Sequence, residues 1–188
     1  VIIIGGGAGG TSAAIESSRN GVKTLLIEET DWLGGMLTSA GVSAVDGNYK
    51  LPSGFWGEFK DSLVSHYGSL DALKTGWVSN VLFEPRVGNE ILKAIANKEK
   101  NLKILYSSKV NSVVQTEGDY YNFNVNSSKG NFLSKILIDA TELGDILPLL
   151  DEDYDIGMDN KLMYGEDIAP YEKNDIIQDL TYVMILKN

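Results

Sequence analysis

The chain opens on four consecutive β-branched residues, Val1 to Ile4, an unbroken apolar run of the kind that forms a strand covered on both faces. Thr11 to Arg19 reads as a helix that Gly21 closes, and Lys23 to Ile27 returns to a buried-strand pattern ending at Glu28. Residues 47 to 83 are less regular and rich in aromatics (Tyr49, Phe55, Trp56, Phe59, Tyr67, Trp77, Phe83), with a short helix expected around Trp56 to Tyr67. Glu84-Pro85 opens a further helix whose apolar face is Ile91, Leu92, Ile95 and Ala96. Lys103 to Tyr106 follows as a strand. Three alternating segments, Val110 to Thr116, Tyr120 to Val125 and Phe132 to Ile138, are separated by turns at 117–119 and 128–131 and predict an antiparallel meander. Residues 151 to 167 are acidic and irregular, and Asn174 to Leu186 has the pattern of another strand.

The joint between the first strand and helix carries the most specific chemistry. Gly5, Gly7 and Gly10 form G-x-G-x-x-G between a buried strand and a helix, and Glu28 stands eighteen positions beyond Gly10 at the tip of the second strand. Each residue type has a job there. The first glycine permits a sharp turn, the second lets backbone approach a pyrophosphate, and the third lets helix lie close on sheet. The helix N-terminus offers unpaired N–H groups to phosphate. A carboxylate at Glu28 accepts hydrogen bonds from ribose hydroxyls and repels a 2′-phosphate, which disfavours NADP. A strand and helix joined by a tight turn with no ligand is the bland alternative, but strand, turn, helix, strand and acidic tip are all in place. A P-loop is excluded because Thr11 stands where its lysine must be.

A second glycine signal follows in Leu33-Gly-Gly-Met-Leu-Thr-Ser39. Adjacent glycines let a backbone pass flush against a ligand and form a small anion nest, or make a plain turn. Composition narrows the partners. A net charge of −10 argues against a nucleic-acid surface, the absence of cysteine removes disulfides and thiolate chemistry, and a single histidine, His66, makes a His-rich metal site a poor expectation. Asp151, Asp153, Asp155 and Gly157 imitate a calcium loop, but the glycine falls one place late and Leu162 occupies the position of the bidentate glutamate, so a solvated loop is expected. No apolar run reaches membrane-spanning length. The chain starts inside a strand and stops on another, which reads as a piece of a longer protein, with any targeting signal upstream of Val1 and a cytoplasmic location by default.

The pairing of the two glycine turns resembles the two-dinucleotide-binding flavoproteins, the glutathione-reductase-like superfamily. The string LGGMLTSAGVSAVDGN is similar to FAD-dependent oxidoreductases found in many bacterial genomes, some of which carry sugar-related names. The likeness extends over nearly the whole chain and is most specific in the first fifty residues and near 138–145. The disulfide-reductase branch places two cysteines just past the doublet; Leu37 and Val42 hold those places here. The resemblance implies extended FAD, with pyrophosphate over Gly7 to Gly10 and the ribityl and flavin end near Gly35 to Ser39. It also implies an adenine contact from the backbone of Val110 and a close approach at Ala140-Thr141, where Glu142 replaces the superfamily's usual glycine.

The expected fold is α/β: residues 1–150 form a Rossmann-like FAD-binding domain, its parallel sheet built on a βαβ unit, with an antiparallel meander crossover. The 47–83 stretch is an insertion that either packs as core or caps the flavin, and 151–188 form the loop and first strand of a truncated substrate domain. Candidate cofactor-binding residues are Gly5, Gly7, Ala8, Gly9, Gly10, Glu28, Glu29, Gly34, Gly35, Met36, Thr38, Val110, Ala140 and Thr141. Thr38, Ser39 and Arg86 are polar groups near the expected flavin, and no residue takes a catalytic acid or base role. The function this implies is FAD-dependent transfer of hydride or electrons to or from an organic small molecule, sugar-related by the resemblance, with no metal, nucleic acid or membrane span. An NAD-linked dehydrogenase without flavin, a non-catalytic flavin-binding protein and an RNA-modifying flavoprotein are the alternatives. The first needs a continuing α/β ladder after Glu28, and the acidic charge counts against the last.

Overall fold

A computed structural model describes residues 1–47, 49–77, 79–116 and 122–184. In chain order the elements are β1 (Ile2–Ile4), α1 (Ala8–Arg19), β2 (Thr24–Ile27), α2 (Gly54–Tyr67), α3 (Pro85–Ala96), β3 (Leu102–Leu105), β4 (Val110–Gln115), β5 (Phe123–Ser127), β6 (Gly130–Ser134), β7 (Leu137–Asp139) and the single-turn α4 (Lys161–Tyr164). A parallel sheet runs β3-β2-β1-β7, and an antiparallel sheet runs β4-β5-β6.

The unbroken apolar start has a direct cause in this arrangement. Ile3 and Leu26 point to one face of the parallel sheet, where Ala14 and Ile15 of α1, Phe59 and Leu63 of α2, and Leu92 and Ile95 of α3 pack on them. Ile2, Ile4 and Ile27 point to the other face and meet Val113 and Val125 of the meander and Ile146 beyond it. Alternate residues of one strand therefore feed two cores, so no position is left for a polar side chain. Each such buried aliphatic side chain stabilises the fold by about 1.5–3 kcal/mol relative to an exposed one.

Three expectations change, and one lies outside the described residues. α1 begins at Ala8 rather than Thr11, so Gly10 lies inside the helix and packs directly on the β1 turn. The third meander segment divides: residues 130–134 pair with β5, whereas Leu137–Asp139 turn away and pair parallel with β1. Ser134 makes that break, its hydroxyl donating to the Ile136 carbonyl at 2.6 Å. The turn expected at 117–119 and the start of the second segment at Tyr120 lie outside the described residues. Asn174 to Leu186 forms no strand over its described part; Asn174 makes an isolated bridge to Met158, and among the described residues no strand pairs with 175–184 to supply hydrogen bonds.

The aromatic stretch packs mainly as core. Phe59 meets Phe83 edge to face with ring centres 5.4 Å apart, and Tyr49, Phe55, Trp56 and Tyr67 pack against the same cluster. Trp77 is 96% exposed. Arg19, at the end of α1, ties the helical layer together through Glu16, Glu58 and Glu99 at 2.8–3.0 Å. Those three carboxylates hold its guanidinium protonated to still higher pH than usual, against the opposing effect of partial burial.

Candidate functional site

β1, β2 and β7 all end, at their carboxyl sides, on one cleft of about 610 Å³. Parallel strands that share a direction bring their turns to a single edge, which is where ligands of open α/β sheets sit. The walls come from the β1 turn (Gly5, Gly6, Gly7), the tip of β2 (Glu28, Glu29, Thr30), the second glycine turn (Gly35, Ser39), the start of the meander (Ser108 to Asn111) and the turn after β7 (Ala140 to Leu143, Asp145).

The two glycine turns are bonded to each other. Gly34 donates its N–H to the Gly6 carbonyl at 2.8 Å, and Gly7 and Gly34 form a parallel bridge. Gly34 has φ of +105°, a backbone conformation in which an L side chain is strained. The second turn is fastened from behind as well: the Leu33 N–H donates to Oδ1 of buried Asn89 on α3 at 2.9 Å, and the Thr38 hydroxyl donates to the Leu33 carbonyl at 2.5 Å. Sequence reasoning missed Asn89; a polar residue on the apolar side of a helix was the available signal.

Gly10 serves packing. A Cβ there would run into the Gly5 carbonyl and stand 3.0 Å from the Ala140 Cβ, so α1 can rest on the sheet only with glycine at this place. Gly7 caps α1 without a side-chain cap hydrogen bond, and no atom of the described residues stands within 4 Å of where a Gly9 Cβ would be. The first-turn amides are therefore open to an anion.

Glu28 is 8% exposed and holds the tip of β2 in shape. Its Oε2 accepts from the Gly6 N–H at 2.6 Å, while Oε1 accepts from the Thr30 N–H at 2.8 Å and the Thr30 hydroxyl at 2.6 Å. Two carboxylate oxygens offer about four acceptor positions, so one on Oε2 is left for a hydroxyl from outside the chain. Behind it stands Tyr106, whose buried hydroxyl has no hydrogen-bond partner among the described residues. Burial, and secondarily the Glu28 charge, push that phenol above its ordinary value of 10.0.

Of the expected residues, Gly5, Gly7, Glu28, Glu29, Gly35, Val110, Ala140 and Thr141 line the cleft. Ala8, Gly9, Gly10, Gly34, Met36 and Thr38 do not. Ala8 and Gly9 are exposed on the first turn of α1, Met36 is 55% exposed, and Thr38 is buried with its hydroxyl turned inward. The Thr141 hydroxyl is engaged inside its own turn, donating to Asp139 at 2.7 Å and accepting from the Asp145 N–H at 2.8 Å. Ser39 is in the wall, whereas Arg86 pairs with Glu90 on the exposed side of α3. None of the seven aromatics of 47–83 lines the cleft, because the core claims most of that stretch. Lys109 and Asn111 line it without having been singled out, and Glu142, noted for replacing the superfamily's usual glycine, lines it as well.

The donor set fits a dinucleotide: open first-turn amides, bare glycines on two touching turns, one spare carboxylate acceptor and small Ala140 at the floor. The model of the FAD dependent oxidoreductase family matches residues 1–185, and the chain belongs to that family. No curated protein matches it. Among solved structures, an L-proline dehydrogenase from P. horikoshii is similar in fold (TM-score 0.54, 14% identity, covering 84% of this chain and 57% of that one). The thioredoxin reductases of Lactococcus lactis (TM-score 0.45, 19% identity) and T. acidophilum (TM-score 0.42, 23% identity) each match over 74% of this chain. The chain spans 34% of the length of either reductase.

Proposed function

We propose that this chain holds FAD across the carboxyl edge of its parallel sheet and forms the cofactor-binding part of an oxidoreductase acting on an organic small molecule. The hydrogen-bonded contact of the two glycine turns carries this reading, because it makes one continuous stretch of bare backbone from Gly5 to Gly35. The first-turn amides of α1 hold the pyrophosphate, Glu28 takes a ribose hydroxyl on its free acceptor position, Val110 borders the adenine, and Gly35 with Ser39 borders the ribityl chain. Flavin supplies hydride or electron transfer, while the protein orients it and excludes the 2′-phosphate of NADP by the Glu28 charge.

The NAD-linked alternative asks for a continuing ladder of α/β units after β2; the chain adds one, α3 with β3 parallel to β2, but reaches it through a glycine turn and an aromatic helix and then inserts a meander before returning β7 beside β1. We take 151–188 as the beginning of a substrate unit, supported by how many apolar side chains it turns to solvent. A sugar-related substrate belongs to the same proposal and rests on family likeness alone. The test is the absorption spectrum of the intact protein followed by anaerobic mixing with sugars, organic acids and NAD(P)H. A yellow protein bleached by one of these is the expected result; a colourless protein that binds NAD tightly contradicts it.

A further inference from the structure

Glu142 stands where its neighbours would be expected to leave room for a phosphate. A Cβ on Gly7 would lie 2.9 Å from Glu142 Oε1, and one on Gly35 would collide with the same oxygen. The carboxylate therefore sits in the notch between the two bare turns. It comes there from the turn after β7, a third element, and no hydrogen bond or ion pair to it occurs among the described residues. Its surroundings are negative. The same cleft is lined by Glu28, Glu29 and Asp145, and Lys109 is the cationic side chain in its wall.

We propose that the Glu142 carboxylate competes with the pyrophosphate of FAD for this notch, so that the side chain must swing aside on cofactor entry and sets how fast and how tightly FAD is captured. This rests on the FAD reading of the cleft. Two physical arguments support it. The notch is floored by glycine Cα atoms and cannot hold a carboxylate and a phosphate together. A fixed negative charge within a few ångströms of an incoming dianion also opposes it, most strongly at low salt. Glu142 is exposed, so it has solvent to move into and its replacement leaves the core untouched. The side chain is then a selector as well as an obstacle: ligands without a pyrophosphate gain nothing from its removal.

The test uses intact protein stripped of FAD and titrated with FAD by flavin fluorescence, together with stopped-flow capture at several salt concentrations. E142Q removes the charge at constant shape, and E142A removes both charge and bulk. We expect FAD to bind E142Q roughly tenfold tighter and E142A tighter still, equivalent to about 1.4 kcal/mol or more. Capture by the native protein should quicken with added salt, and capture by E142Q should respond less. Riboflavin binding should be the same in all three. Equal FAD affinity in the native protein and both variants overturns the proposal, as does weaker binding in both, which would make Glu142 a holding group. Failure of the native protein to take up FAD at all overturns the FAD reading itself.

Discussion

Residues 1–46 and 151–184 are both well supplied with apolar side chains, yet they meet opposite fates. Ile3, Ile15, Leu26 and Leu33 are wholly buried, whereas Leu162, Ile168, Leu180 and Tyr182 are 85%, 92%, 85% and 89% exposed. Hydropathy does not separate the two; partners do. β1 is covered by helices on one face and by the meander on the other, while the later stretch runs past β7 with a single bridge and a single helical turn. An apolar side chain contributes stability only where the topology returns another element against it. The exposed set agrees with the proposal that this stretch belongs to a substrate unit.

The largest effect should come from cutting both regions alike. Leu26→Ala should cost about 2–5 kcal/mol by urea denaturation. Leu180→Ala should change stability by less than about 0.5 kcal/mol in the 188-residue chain. Comparable losses at both sites would mean that the later stretch is packed after all. Gly10→Ala probes the tightest contact of the first region; forcing α1 off the Gly5 carbonyl should cost about 1–3 kcal/mol and weaken FAD retention with it. A variant with native stability would show that the helix has room to spare.

How much of this was legible in the sequence follows the same division. The β1–α1–β2 unit was readable because local pattern and tertiary surroundings agree: β-branched runs, a glycine turn and an acidic tip need no distant partner to be recognised. Asn89 was not readable, since its role depends on Leu33, fifty-six positions away. The split of the third meander segment was missed for a similar reason. Ile136, Leu137 and Ile138 follow Phe132 to Lys135 with no turn residue between them, and only the pairing of Leu137–Asp139 with β1 decides that the chain leaves the antiparallel sheet there. Thr38 is a candidate contact in the sequence because a hydroxyl follows the glycine doublet; that its proton goes to the Leu33 carbonyl is a feature of the folded turn that no local pattern announces. The aromatics of 47–83 were open to two readings, and the pull of a large core settled most of them.

Smaller effects test the site. Glu28→Ala removes three internal hydrogen bonds and the spare acceptor together, and should weaken FAD binding about tenfold, near 1.4 kcal/mol. Unchanged affinity would remove Glu28 from the ribose contact. Tyr106→Phe deletes a buried hydroxyl without a described partner, so neutral-pH stability should hold or rise slightly. Because the folded-state phenol titrates above its ordinary 10.0, the native protein binds the proton more tightly than the unfolded chain. Stability from this group is thus full below that value and is lost as pH climbs through and beyond it. Melting temperatures measured from pH 8 to 11 should fall less steeply in Tyr106→Phe than in the native protein; parallel curves would contradict the assignment.

Hydrogen–deuterium exchange on the intact protein, with and without FAD, tests the central claim most directly. The account predicts that FAD slows exchange at 5–10 and at 34–38 together, with one concentration dependence. Protection confined to 5–10, with the second turn exchanging as freely as before, would contradict it.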